Sequence, residues 1–182
     1  MTPTHLPGRV AIPSLPTVLD AFNTAPADDA RALLLACLRS VRWAERLAAH
    51  RPYPDVDSLL AASDEAAYDL TPGDLAGALA AETLPVLPEG VYGAAYTALN
   101  AAHAAYEAKF GHVFVICLDD VPPEETLDHV LAAIRSRLTN DPEEERVLTA
   151  EELRRLAKGR LVRALRGARN CATSPNGTAL GK

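Results

Sequence analysis

The sequence has few of the residues that build β-sheets. Aromatic side chains make up only 5% of its 182 residues, and β-branched side chains are sparse outside residues 113–116. Because these residue types favour strands, while Ala and Leu dominate here, the composition predicts helix almost everywhere. We therefore expect an all-α fold.

Cysteine is also scarce. Cys37, Cys117 and Cys171 are odd in number and far apart, without C-x-x-C spacing. This pattern argues against a disulfide framework and against a structural metal, and it is typical of a reducing compartment. No signal-peptide pattern opens the chain, and no apolar run reaches the roughly 18 residues that a membrane span needs. We expect a cytoplasmic protein with no membrane partner.

Positive charge is in short supply as well. The chain has 18 Lys and Arg against 24 Asp and Glu, which gives a formal net charge of −6. A nucleic-acid groove needs a surplus of basic residues on one face, so nucleic acid is excluded as a partner. The basic residues cluster in 154–169, where we expect them to decorate the end of a long helix.

Capping signals predict short helices in the first half of the chain. The apolar stripe through residues 30–38 is expected to continue or bend into 41–48. Asp55 suits the N-cap of a helix to about residue 69, and Thr71 with Pro72 suits the start of another. A chain of this length without an internal linker is expected to form one domain.

Two longer helices are predicted in the second half. Apolar residues spaced by threes and fours predict an Ala-rich helix over 91–110, which Gly111 should end. The last helix is expected to run from residue 142 to about Arg166, with a joint at the capping-box pattern of Thr149 and Glu152.

The two ends of the chain differ from its middle. Residues 1–14 are rich in proline and weakly patterned, which predicts an extended arm. Residues 167–182 are polar and are expected to form a flexible tail. The helical domain is therefore expected to span residues 15–166.

Two segments of the sequence resemble a known family. One is Tyr106-Glu-Ala-Lys-Phe-Gly-His-Val-Phe-Val-Ile116, and the other is Arg135-Ser-Arg-Leu-Thr-Asn-Asp-Pro-Glu-Glu-Glu145. They resemble the Y-x-x-[KR]-F-G-x-x-F-[VL]-I and R-L-x-N-[DS]-x-E-x-E segments of the family that decarboxylates 2-oxo-4-hydroxy-4-carboxy-5-ureidoimidazoline (OHCU). Shorter pieces, such as Ser-Val-Arg-Trp-Ala at 40–44, are typical of its bacterial members. The resemblance extends from about residue 15 to residue 165.

The resemblance implies a helical fold of about eight helices, a homodimer, no cofactor, and a small-molecule substrate in a pocket at the middle of the domain. In the family, a His before Pro and a Glu before Gln handle protons while CO₂ leaves, and an Arg reaches the substrate's charged groups. Decarboxylation builds negative charge, which positioned donors stabilise and a nearby acid quenches.

This chain departs from the family at the catalytic positions. After the Ala-Leu-Ala-Ala of residues 78–81 it has Glu82-Thr-Leu-Pro85, so Pro85 can match the family's Pro while the His is missing. Glu89 can replace the family's Glu, but no Gln follows it. After Ile116, the family's Arg is replaced by Asp119 or, with a different gap, by Val121. An aspartate there would repel an anionic ligand.

Three ionisable residues are candidates for the proton chemistry: His103, Glu89 and Glu82. His103 stands where the family usually has Asn, on the helix face expected to border the pocket; alternatively, it is only a polar residue of that helix. Glu82 and Glu89 flank the proline-rich loop. Either can act as a general base if it is buried, or else cap or solvate the loop.

Five further residues are candidates for substrate binding. Tyr92 and Tyr96 lie one turn apart, with hydroxyls that could orient a carbonyl or an enolate; alternatively, their rings are buried in the core. Pro85 can match the family's Pro, Ile116 keeps the family pattern, and Asp119 stands at or near the position of the family's Arg; all three are expected to line the pocket.

A further group of residues keeps the family pattern near the start of the last helix. These residues are expected to form a structural network with an ion pair and a cap: Arg135, Arg137, Asn140 and Glu145.

Three functions remain open. The leading hypothesis is a cofactor-independent, lyase-type enzyme that acts on a different small molecule, within a bacterial biosynthetic pathway. The alternatives are a genuine OHCU decarboxylase of urate degradation and a non-catalytic binding or interaction homologue. The first leads because the surrounding segments are retained in detail while one loop and one charge are rewritten.

Overall fold

A computed structural model describes residues 18–85 and 93–171 of the chain, and over those ranges it contains helices and no strand. The helices are α1 (Val18–Thr24), α2 (Ala27–Cys37), α3 (Val41–Ala49), α4 (Val56–Tyr68), α5 (Pro72–Ala80), α6 (Ala94–Phe110), α7 (Thr126–Arg137) and α8 (Pro142–Cys171), with a 3₁₀ turn at Pro123–Glu125. The predicted all-α fold is confirmed. Within the described ranges, no helix combines the length and apolar character needed to cross a bilayer. The predicted arm and most of the predicted tail lie outside these ranges, as do Glu89 and Tyr92.

The predicted caps of α4 and α5 are confirmed. Asp55 Oδ1 accepts the backbone N–H of Ser58 at 2.7 Å. Thr71 Oγ1 accepts the N–H of Asp74 at 3.2 Å, and the Asp74 carboxylate accepts the N–H of Thr71 at 3.0 Å. Together they form a capping box, with Pro72 in the first turn of α5. These bonds satisfy backbone donors that a helix start leaves free.

The chain breaks between α2 and α3. α2 ends at Cys37, and Ser40 begins the next helix because its side chain accepts the N–H of Trp43 at 3.3 Å. Trp43 is fully buried, and its ring N–H donates to the carbonyl of Ser63 on α4 at 3.1 Å. The indole therefore fixes α3 against α4.

The joint predicted in the last helix is wrong, because α8 runs without interruption from Pro142 to Cys171. The hydroxyl of Thr149 donates to Glu145 Oε1 at 3.2 Å, one turn earlier in the same helix. The carboxylate of Glu152 accepts the backbone N–H of Cys117 at 2.7 Å. Both residues of the capping-box pattern are therefore engaged in other contacts.

The core consists of two clusters joined by an extended segment. The larger cluster is built from α1–α5 and α8, and the smaller one from α6 and α7. Between α6 and the 3₁₀ turn, successive residues of the segment 113–118 alternate between the clusters: Val115 belongs to the larger, whereas Phe114 and Ile116 belong to the smaller. This is the period of two expected for extended backbone.

A buried ion pair holds this extended segment in place. Arg137 Nη1 donates to the carbonyl of Val115 at 2.7 Å, and Arg137 Nε donates to Glu145 Oε1 at 2.8 Å. Asn140 Nδ2 donates to the other oxygen of Glu145 at 2.9 Å, and the hydroxyl of Tyr106 also donates to Glu145. The predicted network is thus confirmed for Arg137, Asn140 and Glu145.

The buried carboxylate of Glu145 stays ionised in this network. Burial alone would raise the pKa of Glu145, but hydrogen bonds from Arg137, Tyr106 and Asn140 hold it below the ordinary value of a glutamate. Burial, and then the hydrogen bond to Glu145, raise the pKa of Tyr106 to about 12. Arg135, which was predicted to join the network, is exposed.

Candidate functional site

A cavity of about 330 Å³ lies between the residues that follow α5, the extended segment 113–118 and α8. Much of its wall is apolar and includes Leu84, Pro85, Phe114, Ile116, Leu118 and Leu156. Among the described residues, its charged lining consists of Glu82, Asp119, Arg160 and Arg163. A cleft of this size that combines an apolar wall with convergent polar groups can hold a small molecule.

Two of the three segments in which the sequence departs from the family pattern meet in this cavity, whereas the third, at Glu89, lies outside the described residues. Glu82 and Pro85 line it from the end of α5, and Ile116 and Asp119 line it from the extended segment. Sequence reasoning named these four residues as site candidates. The structure brings them together although the two segments are far apart along the chain.

Glu82 is bound on both of its oxygens. Arg160 Nη1 and Nη2 donate to Glu82 Oε1 and Oε2, each at 2.7 Å, and the Glu82 side chain is only 7% exposed. Arg160 Nη1 also donates to the carbonyl of Cys37 at the end of α2, at 3.1 Å. Glu82 is therefore buried, as a general base would be, but a bidentate guanidinium partner fixes its position.

A second ion pair stands beside the first. Arg163 Nη1 donates to Asp119 Oδ1 at 2.8 Å, and both side chains are more exposed than those of the first pair. Asp119 can approach α8 because Gly159 has no side chain. A Cβ at that position would overlap Asp119 Oδ2 and lie 3.3 Å from Arg163 Nη1.

Sequence reasoning missed Arg160 and Arg163 as cavity residues. They were expected to decorate a helix end, whereas both point into the cavity from α8. Their spacing of three residues puts them on one face of a helix, which is the signal that could have paired them. That this face borders a cavity depends on tertiary packing.

The ring of Phe114 separates His103 from the cavity. It is 7% exposed, and neither of its ring nitrogens has a hydrogen-bond partner in the described part of the chain. Its ring stacks on that of Phe114, with the centroids 6.1 Å apart. Phe114 lines the cavity, whereas His103 does not. Burial lowers the pKa of His103, so the ring is neutral at pH 7.

Other candidates do not reach the cavity in the described structure. Tyr96 is 53% exposed, so the alternative of a buried core ring is wrong for it, and it does not line the cavity. Burial raises the pKa of the Cys117 thiol, which keeps it protonated and poorly nucleophilic. Across residues 18–85 and 93–171, no group of three or more His, Cys, Asp or Glu side chains is arranged to hold a metal ion.

Comparison with known proteins gives the family context of this site. The chain matches the sequence model of the OHCU decarboxylase family over residues 23–84 and 91–162. Its fold is similar to the crystal structure of (S)-allantoin synthase, with a TM-score of 0.66 and 20% identity over 82% of this chain and 54% of that chain. The chain thus spans about half the length of that protein.

The fold is also similar to the crystal structure of OHCU decarboxylase in the presence of (S)-allantoin, with a TM-score of 0.62 and 19% identity. That likeness covers 78% of this chain and 99% of the other. None of the curated proteins matches this sequence.

Proposed function

The chain belongs to the OHCU decarboxylase family, and we propose that it is a cofactor-independent, lyase-type enzyme whose small-molecule substrate differs from the family's ureidoimidazoline. The cavity at the rewritten segments carries this proposal. The family's helical frame surrounds it. Glu82, Pro85 and Asp119 line it, and the family resemblance assigns these residues to two of the segments that carry catalytic positions.

The cavity contains the groups that a lyase reaction needs. Negative charge that develops as a bond to carbon breaks is stabilised by fixed donors, and Arg160 and Arg163 provide N–H groups on its wall. Glu82 and Asp119 are carboxylates of the cavity lining and are the proposed proton carriers of the cavity. Pro85 and Ile116 would pack against the apolar part of the substrate.

The other proposed participants lie further from a bound molecule. His103 would join the proton chemistry only if the Phe114 ring moved aside, because that ring stands at the cavity wall. Roles for Glu89 and Tyr92 remain predictions from the sequence. A binding role for Tyr96 would require a larger ligand or a change of its exposed position.

One observation favours the alternative of a genuine OHCU decarboxylase. Arg160 and Arg163 supply to the cavity the positive charge that the segment after Ile116 lacks. A different observation favours a non-catalytic homologue: both arginines already hold carboxylates of the chain itself. The homodimer remains a proposal that follows from the family resemblance. The cytoplasmic location follows from the cysteine pattern and stays a proposal, as does the role in a bacterial biosynthetic pathway.

The first test is the parent reaction. Purified protein is added to freshly generated ureidoimidazoline substrate, and the decay of the substrate and the chirality of the allantoin are followed by circular dichroism. We predict the uncatalysed decay rate and racemic allantoin, because the His before Pro85 is missing. A family member that retains His-Pro serves as the positive control. A single allantoin enantiomer would show that the chain is a genuine OHCU decarboxylase.

A further inference from the structure

The charges of the described residues that line the cavity cancel one another. Glu82 pairs with Arg160 and Asp119 pairs with Arg163, so two negative and two positive side chains line the same space. Both arginines come from α8, three residues apart, and both carboxylates come from the rewritten segments. Glu82 and Asp119 therefore offset the positive charges of Arg160 and Arg163.

We propose that this cavity selects small ligands without net charge, and that Asp119 and Gly159 set this selection. The inference rests on the proposed function, since it assigns the substrate class of the same cavity. A carboxylated ligand needs a cation with free donors to replace its lost hydration. In the described lining of this cavity each guanidinium already faces a carboxylate of the chain, so its positive charge is offset even though some of its N–H donors remain free.

The first ion pair is closed to a ligand anion. Glu82 takes two donors of Arg160, and a third contact of Arg160 goes to the carbonyl of Cys37. Because Glu82 is almost fully buried, separating the pair would leave a carboxylate without a partner inside the protein. A ligand anion at this point would also meet the negative charge of Glu82.

The second ion pair, Asp119 with Arg163, determines whether the cavity accepts a charged or an uncharged ligand. Asp119 makes a single contact to Arg163, and the side chains are 39% and 55% exposed. In this position the aspartate occupies the place that a ligand carboxylate would take on Arg163. It can do so only because residue 159 is glycine, since any side chain there would overlap its carboxylate.

The apolar part of the wall adds a second requirement. Phe114, Ile116 and Leu156 line the cavity together with the two ion pairs. A ligand that fits is a compact molecule with an apolar body and an uncharged polar group, such as an amide, which can both donate to a carboxylate and accept from a guanidinium.

The test compares two probes of equal shape, benzamide and benzoate. Binding is followed by NMR from the backbone amide signals of the segment 115–119 in ¹⁵N-labelled protein. In the native sequence we expect benzamide to bind roughly tenfold more tightly than benzoate. Asp119→Asn removes the internal carboxylate from Arg163 and should strengthen benzoate binding by roughly tenfold, with little effect on benzamide.

Gly159→Ala is the second variant, and it leaves the charge of the chain unchanged. The added methyl group displaces the flexible end of Asp119 from Arg163, so benzoate binding should strengthen by about threefold. Asp64→Asn is the matched control. Asp64 pairs with Arg154 and Lys158 on α8 and does not line the cavity, so its loss should leave the preference for benzamide unchanged.

Three outcomes would overturn the inference: benzoate binding as tightly as benzamide to the native sequence, Asp119→Asn leaving benzoate binding unchanged, or neither probe shifting the cavity amides. None of these results decides the parent reaction, which the allantoin assay measures separately. The substrate class and the proposed function can therefore fail independently.

Discussion

His103 is a neutral ring inside an apolar cluster, and the folded state disfavours its protonation whether or not the residue has a catalytic role. His103 stacks on Phe114, and the same phenylalanine ring has the guanidinium of Arg137 4.6 Å from its centroid. A proton on His103 would thus place a second positive charge near a buried ring and without a hydrogen-bond acceptor. The folded state therefore disfavours the protonated form, in agreement with the lowered pKa.

The stability of the protein should depend on this residue at mildly acidic pH. Because the folded pKa of His103 lies below its ordinary value of 6.5, the unfolded chain takes up the proton first. The contribution of neutral His103 to the free energy of unfolding is fully present above pH 6.5. It should fall as the pH drops towards the folded pKa, by at most about 1.4 kcal/mol per pH unit. We predict that His103→Leu removes this part of the pH dependence in urea unfolding between pH 7.5 and 5.

His129 provides the matched control, since it is exposed on α7. His129→Leu should leave the pH dependence of the native sequence unchanged. If His103→Leu and the native sequence lose stability in parallel as the pH falls, His103 is not held neutral by the fold.

Sequence reasoning reached the position of His103 but not its surroundings. The spacing to Tyr106 puts both residues on one face of α6, and both are buried. In the described part of the chain no hydrogen-bond partner reaches either ring nitrogen of His103. This depends on which side chains α7 and the segment 113–118 place around the ring, and tertiary packing determines that placement. The same holds for Glu82, whose bidentate partner is 78 residues away.

At the scale of helices, local capping and glycine signals predicted most of the boundaries. Gly111 follows α6 with a φ of 78°, a left-handed conformation that residues with a Cβ adopt at a cost, and its N–H donates to the carbonyl of Glu107 at 2.8 Å. The predicted end of α6 is therefore confirmed. The predicted joint in α8 is absent because Thr149 accepts a hydrogen bond from Arg137 and Glu152 accepts one from the N–H of Cys117, and a capping pattern cannot reveal such tertiary contacts.

Two glycine substitutions test whether Gly111 ends α6, by comparison with a glycine inside a helix. Gly111→Ala should lower the free energy of unfolding by about 1 kcal/mol or more, because alanine is strained at positive φ. Gly77→Ala lies inside α5 with open space around the added Cβ, and it should raise stability by about 0.5–1 kcal/mol. Chemical unfolding of both variants gives the comparison. Equal effects of the two substitutions would contradict the assigned helix end.

At the scale of the whole molecule, the family pattern predicted the helical frame and the meeting of the two rewritten segments. Sequence reasoning predicted the two carboxylates of the cavity lining but not its two arginines. Glu82 and Asp119 stood out because they replace expected residues, whereas Arg160 and Arg163 belong to a basic stretch that looked like an ordinary solvated helix face. Only the packing of α8 against the end of α5 and residue 119 distinguishes these two arginines from their neighbours.

The pairing of Glu82 with Arg160 is the contact on which the cavity and both proposals depend. A double-mutant cycle measures it directly: Glu82→Gln, Arg160→Met and the double variant are compared with the native sequence by urea unfolding. The exposed pair of Glu45 and Arg31 gives the reference cycle, with Glu45→Gln and Arg31→Met, and its coupling should stay below about 0.5 kcal/mol.

For Glu82 and Arg160 we predict a coupling of about 1–3 kcal/mol, because the pair is bidentate and the carboxylate is almost fully buried. A coupling no larger than that of the exposed reference pair would contradict this geometry. Glu82 would then not be held at the cavity wall by α8.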